Sequence, residues 1–308
     1  MLIDALVITA VGVVALLLPS VSAYRSHLGR RLARQAETRV PAEQVTALET
    51  RLARRARGLG VGILVGGVAL LALSFVWEGG DDSGGGFFLL SVMAVAGAAG
   101  LVTADILWPG ELAEGPRTAR ANSPTLADYL PRWMRVLSWV VVGAGLLALA
   151  TTLLLASSRW FSAETILRGP VPLLALGLPV LLLLTRWATR RILECPQPSR
   201  DETELYWQDA VRAQTLASLS VTTPFVSLLA LIVCGSVLDN AASQVAVATG
   251  QVGPWWSTAL LIAGYTIPFV LAIVALAVAA SHASNGEMRQ FRNRLWGGRP
   301  PQVKGAGA

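Results

Sequence analysis

Charge is scarce in this chain, and what there is comes mostly from one residue type. Only 14% of the 308 residues are charged, against nearer a quarter in a soluble domain. With 54% hydrophobic residues and a mean hydropathy of +0.56, that deficit excludes a soluble globular protein and puts the chain in the membrane class. No polar stretch is long enough to bury a core of its own, so a separate soluble domain is excluded too. Lysine is nearly missing: Lys304, in the C-terminal tail, is the single Lys among 25 basic residues, and the rest are Arg. A retinal Schiff base needs a Lys inside the helix bundle, so a count of seven helices does not here make a retinal protein.

Histidine and cysteine are as thin. His27 and His282 are the two histidines and no His-Glu-x-x-His occurs, which excludes zinc-protease chemistry of that type. Cys195 falls in an expected loop and Cys234 inside an expected span, so neither a disulfide framework nor metal-type spacing is present. There is no Gly-x-x-x-x-Gly-Lys-Ser/Thr and no Gly-x-Ser-x-Gly, so P-loop nucleotide binding and a serine-hydrolase elbow are excluded. No acid/base or nucleophile constellation is found, and the expectation is a chain that is not an enzyme, with no catalytic residue, cofactor or metal.

What is present is apolar sequence in long runs. A window of about 19 residues finds spans at 2–21, 59–77, 87–108, 136–157, 170–189, 213–238 and 255–281. Each is near the ~20 residues that cross ~30 Å of hydrocarbon. The fifth is the weakest: only Pro170 to Thr185 is free of charge, so Arg186 must snorkel to the interface. The fold class expected is all-α, a polytopic transmembrane helix bundle of about seven spans occupying 1–285. Residues 286–308 are expected to be a basic, disordered cytoplasmic tail.

Orientation follows from the loops. Segments 22–58, 109–135 and 186–212 and the tail hold 23 of the basic residues, and the alternate segments hold only Arg159 and Arg168. Among those alternate segments is the acidic stretch Glu78-Gly-Gly-Asp-Asp82. Basic loops stay cytoplasmic, which places the N-terminus outside and the C-terminus in the cytoplasm. The same bias accounts for the net charge of +6 and the pI near 10.1 without a nucleic-acid partner. Val21-Ser22-Ala23 has the small residues of a signal-peptidase site. The run before it has no basic start and carries Asp4, so the first helix is read as retained. Trp77, Trp108, Trp139, Trp160, Trp187, Trp255 and Trp256 fall near span ends, where amphipathic indoles prefer the headgroup region.

Four features offer function. Segment 41–57 opens on Pro41 and repeats Val45, Leu48 and Leu52 at helical spacing beside Arg51, Arg54 and Arg55. It reads as a basic amphipathic helix on the inner surface, a candidate contact for anionic lipid or a cytoplasmic partner. Gly58, Gly62 and Gly66, and Ala96 and Gly100, recur every four residues, a pattern for close helix approach that names no particular oligomer. Thr222-Thr223-Pro224-Phe225-Val226 and Thr266-Ile267-Pro268-Phe269-Val270 share Thr-x-Pro-Phe-Val in two antiparallel spans. Proline frees a backbone carbonyl, and broken helices of this kind surround midplane sites in transporters. Thr222, Thr223, Pro224, Tyr265, Thr266 and Pro268 are therefore the candidate polar path; Pro179 could add a third kink. Asp105, near Pro109 at the end of span three, is the best-placed intramembrane carboxylate, and it reads as a solvated helix-end group.

Asp128-Tyr129-Leu130-Pro131 before span four, after the loop from Trp108 to Ala127, resembles uncharacterised multi-pass membrane proteins encoded in high-GC bacterial genomes. The resemblance implies a bacterial cytoplasmic membrane location and no activity. Asp128 and Pro131 read as the entry to span four, with Tyr129 and Trp133 at the interface. Two functions stay open. One is a permease-like or transport-associated protein with a polar path at the sixth and seventh helices. The other is a non-catalytic membrane subunit or scaffold that docks a cytoplasmic partner through the Arg-rich segment 24–57 and the tail; a homo-oligomer is a further candidate assembly.

Overall fold

The computed structural model describes residues 2–36, 42–74, 85–107, 124–195, 202–281 and 286–299. The acidic stretch 78–82, Pro41, Trp77, Trp108, Pro109, His282 and Lys304 lie outside the described residues. Among those described, every regular element is helical: α1 (Leu2–Leu17), a 3-10 turn (Leu18–Ser20), α2 (Ser22–Ala36), α3 (Ala42–Ser74), α4 (Gly85–Leu107), α5 (Leu126–Tyr129), α6 (Arg132–Leu155), α7 (Ala163–Arg168), α8 (Val171–Glu194), α9 (Glu202–Thr249), α10 (Trp255–Ser281) and α11 (Gly286–Leu295). Six of them, α3, α4, α6, α8, α9 and α10, are long and apolar enough to cross a membrane. Helix α1 meets that description only together with α2, from which it turns by 75°.

Helix α9 is the hub. It packs on α4, α6, α8 and α10 along its length and on α5, α7 and α11 at its ends. Over half of its apolar stretch is buried, 56%, against 11% for α10. The main core gathers around it, from Leu174, Leu178 and Leu181 of α8 to Leu216, Val226 and Val233 of α9 itself. A second, smaller core of Ala5, Ile8, Ile63, Leu70 and Val92 joins α1, α3 and α4.

Glycine sets the spacing in that second group. A Cβ on Gly62 would stand 2.2 Å from the Ala96 carbonyl oxygen, and one on Gly100 2.3 Å from the Gly58 carbonyl oxygen. On the other side of α3, a Cβ on Gly60 would meet the Leu16 amide nitrogen at 2.6 Å. The two small-residue rows of α3 and α4 therefore face each other within one chain, and the backbones touch because no side chain intervenes.

Three expectations change. The segment expected at 41–57 is not a separate surface helix: from Ala42 on it is the first half of α3, a continuous helix of 33 residues. Its apolar residues Leu48 and Leu52 pack into the main core, so they need no headgroup layer to cover them. The sixth span, expected at 213–238, is the middle of a helix of 48 residues. Hydropathy stops at polar residues, but the helix continues wherever tertiary partners bury it: Tyr206 and Ala210 at one end, Ala241 at the other. The tail, expected to be disordered from 286, forms helix α11 over Gly286–Leu295, with Phe291 fully buried against Tyr206. Left-handed Gly297 and Gly298 end that helix, and the Gly298 N–H returns to the Arg292 carbonyl at 3.0 Å.

Candidate functional site

The carbonyl that Pro224 frees is satisfied by protein. Pro224 cannot donate to the Ser220 carbonyl four residues back. Ser138 of α6 donates to that carbonyl instead, at 2.9 Å. Pro268 likewise releases the Gly264 carbonyl, which is turned onto α9: a Cβ on Gly235 would stand 2.7 Å from it. The Gly235–Gly264 crossing also fixes the register of the antiparallel pair α9 and α10. Pro268 is level with Leu231, and Pro224 lies about seven residues, ~10 Å, further along. The two Thr-x-Pro-Phe-Val motifs therefore do not meet.

Their polar residues separate in the same way. The Thr222 and Thr223 side chains leave α9 on different faces. Thr223 is buried and shares a hydrogen bond of 3.0 Å with Thr185 of α8. Thr222 bonds back to the Ser218 carbonyl at 2.8 Å and borders a cleft. Tyr265 is half exposed and donates to Asp239 at 3.1 Å. Thr266 is exposed and donates to its own helix at Ile262. Of the six residues of the expected polar path, the structure brings Thr222 and Pro268 to one cavity, and the other four lie elsewhere.

That cavity is a cleft of about 1000 Å³ between α3 and α4 on one side and α9 and α10 on the other. Gln214, Ser218 and Thr222 border it, one turn apart on one face of α9. Beyond Thr222 the lining turns apolar, through Phe225 and Leu229 to Ile232. From Gln214 to Ile232 the wall is ~27 Å long at 1.5 Å per residue. Its polar end lies at the Arg-rich end of the bundle.

Arginines meet there. Arg55 pairs with Asp105 at 3.1 Å and donates to Ser218 Oγ at 3.3 Å. Asp105 is 7% exposed. It is thus a buried ion-pair partner tying α3 to α4, not the solvated helix-end carboxylate read from the sequence, because Arg55 comes to it from 50 residues away. Arg51, one turn before Arg55, lies in the field of Asp105, Arg55 and Arg212. Arg54 turns the other way, onto a groove it shares with Arg57 between α1, α3 and α4.

Below this layer, at the start of α9, sits a second polar node. The carboxyl of Asp209, fully buried, accepts from Tyr129 Oη at 2.9 Å and from Trp296 Nε1 at 2.9 Å. It holds α5, α9 and the segment after α11 together. Arg212, on the same face of α9, donates to the Cys195 carbonyl at 2.6 Å. Burial and the Asp209 carboxylate raise the Tyr129 phenol above its ordinary pKa. That keeps the hydroxyl protonated and donating; a raised phenol pKa gives stability present at neutral pH and lost only in strong alkali. Tyr129 is therefore no interface tyrosine, and Asp128 serves the start of α5, accepting from the Thr125 N–H at 2.8 Å.

No protein-family model, no curated protein and no solved structure matches this chain. The site must be argued from its own residues. Among the described residues no three of His, Cys, Asp and Glu converge as metal ligands.

Sequence reasoning missed Asp209, Arg212, Gln214 and Trp296. A signal was there: Asp209 and Arg212, three residues apart, stand just before an uncharged run that lasts to Asp239. A carboxylate and a guanidinium on one face of a helix entering an apolar region need partners.

Proposed function

We propose that this chain is a seven-span protein of the bacterial cytoplasmic membrane, transport-associated, that holds its solute in the cleft between α4 and α9. One observation carries the reading: a stripe of Gln214, Ser218 and Thr222 faces an open cleft of about 1000 Å³ in helices otherwise lined by apolar side chains. A concave, mostly apolar site with a few convergent polar groups is the usual form of a small-molecule pocket. The topology has the N-terminus outside and the Arg-rich end and C-terminus in the cytoplasm. It is supported by the 23 basic residues on one side. The two exceptions are engaged locally: Arg168 pairs with Glu164, and Arg159 lies 4.7 Å above the Trp160 ring.

The test is ligand-dependent stability. Purified protein is screened by thermal shift against a panel of small solutes, beside Thr222→Trp, which fills the cleft, and Gln214→Leu. A solute that stabilises the native protein and neither variant supports the site. Solutes that stabilise all three equally, or a panel that stabilises none, overturn it.

The scaffold reading rests on α11. Met288 and Phe291 are buried while Arg289, Asn293 and Arg294 face outward, so the Arg-rich end presents an ordered basic face. Co-purification of a stoichiometric cytoplasmic protein, lost in Arg289→Glu/Arg294→Glu, would favour this reading over transport.

A further inference from the structure

The cleft bordered by α3, α4, α9 and α10 is shut at one end and open along one side. At the Arg-rich end the face of α9 that carries Gln214, Ser218 and Thr222 continues as Trp207 and Val211. Both are buried in the main core together with Leu52 of α3. Above that plug Arg55 crosses from Asp105, at 3.1 Å, to Ser218 Oγ, at 3.3 Å. The side is different. Val221 and Phe225, on the cleft wall of α9, are more than half exposed, and Leu90 on the facing wall is half exposed. Helix α10 packs closely on α9 and, among the described residues, on no other long helix. A gap between α4 and α10 is the result. Its walls belong to helices apolar enough to cross a membrane, so at that depth the gap opens onto acyl chains and not onto water.

The α9 wall divides into a polar and an apolar length. From Gln214 to Thr222 is eight residues, ~12 Å, and from Thr222 to Ile232 ten residues, ~15 Å. Half of a bilayer's hydrocarbon is also ~15 Å, the reach of an acyl chain from one leaflet. The groups on the polar length are neutral. Thr222 Oγ1 donates to the Ser218 carbonyl at 2.8 Å, and Ser218 Oγ to the Gln214 carbonyl at 3.0 Å. The Thr222 oxygen therefore meets a ligand as an acceptor, and the Gln214 amide supplies both a donor and an acceptor. The Arg55 guanidinium that reaches this stripe is already held by Asp105.

Taking the cleft as the solute site proposed above, we infer that its substrate is an amphipathic lipid with an uncharged, hydroxyl-bearing head. The lipid enters sideways from the bilayer between α4 and α10. Its head lies against Gln214 and Thr222, and its acyl chain runs along Phe225, Leu229 and Ile232. A water-soluble solute would need the end that Trp207, Val211 and Leu52 fill.

The experiment uses the full chain in bilayers of dioleoyl phosphatidylcholine. The probe is a mono-oleoylglycerol with a photoactivatable diazirine on its acyl chain, and adducts are mapped by peptide mass spectrometry. Adducts are expected at Met93 and Phe225, on facing walls. Excess mono-oleoylglycerol displaces them and glycerol does not. Oleoyl lysophosphatidylglycerol, the same chain with a charged head, displaces them about tenfold less well. Gln214→Leu keeps the adducts and weakens their displacement by mono-oleoylglycerol about tenfold, the order of one hydrogen bond. Thr222→Trp abolishes the cleft adducts, whereas Val140→Trp, on the exposed face of α6, leaves them as in the native protein. Adducts confined to outer faces overturn the inference. So does equal displacement by the charged-head lipid, or a Gln214→Leu protein that behaves as the native one. Failure of the wider reading is distinguishable. If a water-soluble solute stabilises the native protein and neither cleft variant, the site stands and the lipid class falls; if no solute does so either, both fall.

Discussion

Around α3 the helices meet mainly backbone to backbone; around α9, the Gly235–Gly264 crossing with α10 apart, they meet mainly through side chains. At the α3 seams a missing Cβ is the contact: Gly62 lies against the Ala96 carbonyl and Gly60 against the Leu16 amide. Around α9 the contacts are large residues such as Tyr206 and Phe291, and hydrogen bonds that cross between helices, Tyr129 to Asp209 and Ser138 to Ser220. The contrast has a physical basis. Between helices in lipid there is little hydrophobic driving force, so close van der Waals approach and polar contacts must supply the stability. The α1–α3–α4 group relies mainly on the first, with the Arg55–Asp105 pair as its polar tie, and the α9 group mainly on the second. A glycine seam tolerates no added volume, and a polar node tolerates no lost partner.

The largest test breaks the polar node. Asp209→Ala removes the acceptor of the buried Tyr129 hydroxyl and of the Trp296 indole N–H. Breaking a buried, partnered polar group in this way costs on the order of 3–5 kcal/mol. Denaturation in SDS, followed by far-UV circular dichroism, should show that loss. A variant as stable as the native protein would mean that packing of Phe291 and Tyr206 alone holds this end.

The next breaks the seam. Gly62→Ala puts a methyl where the Ala96 carbonyl oxygen stands 2.2 Å away, and backbone, not a side chain, must move. Overpacking of this kind costs about 1–3 kcal/mol. Gly143→Ala is the matched control, since nothing lies within 4 Å of the Cβ it would add. Because Gly62 and Asp209 belong to different contact groups, the double variant should show the sum of the two losses. A marked departure from additivity would mean that the two sites interact energetically in spite of belonging to different contact groups.

A smaller test concerns the proline of α9. Ser138→Ala strands the carbonyl that Pro224 frees, at a cost of about 0.6–1.7 kcal/mol for an interhelical hydrogen bond in a membrane protein. In a Pro224→Ala background the new N–H can take that carbonyl, and Ser138→Ala should then cost little. The double-mutant cycle measures this coupling directly. Equal costs in both backgrounds would show that the Ser138 bond is incidental to the kink.

The contrast also explains what could be read from the sequence. The six long apolar helices were legible because a bilayer-spanning helix is a local property: a run of apolar residues declares it. The seam was legible in its residue type, since Gly58, Gly62 and Gly66 repeat on one face. Its partner face on α4 was legible for the same reason. The polar contacts were not. Arg55 and Asp105 are 50 residues apart, and Tyr129 and Asp209 are 80 apart. Nothing local says that those groups meet, so Asp105 looked solvated and Tyr129 looked interfacial. The ends of α9 and helix α11 were hidden for a related cause: polar residues outside an apolar run resemble a loop until the partner that buries them is known. The cleft was half legible, because Pro268 is itself one of the two motif prolines and Ser218 and Thr222 precede the other, whereas Gln214 is marked only by the face it shares with them.

The smallest effect lies at the far end of the same helix. Tyr265 of α10 donates to Asp239 of α9 at 3.1 Å, with its ring half exposed. It resembles the Tyr129–Asp209 pair in chemistry and differs from it in burial. A hydroxyl that solvent or headgroups can also satisfy contributes little, so Tyr265→Phe should change stability by no more than about 0.5 kcal/mol, whereas Tyr129→Phe should cost about 1–3 kcal/mol because it leaves a fully buried acceptor short of a donor. Measured side by side in the same SDS titration, the two substitutions remove one oxygen each from the same kind of pair. If they cost the same, burial is not what makes the α9 hub depend on its polar contacts, and the difference between the hub and the glycine seams would have to be sought in packing alone.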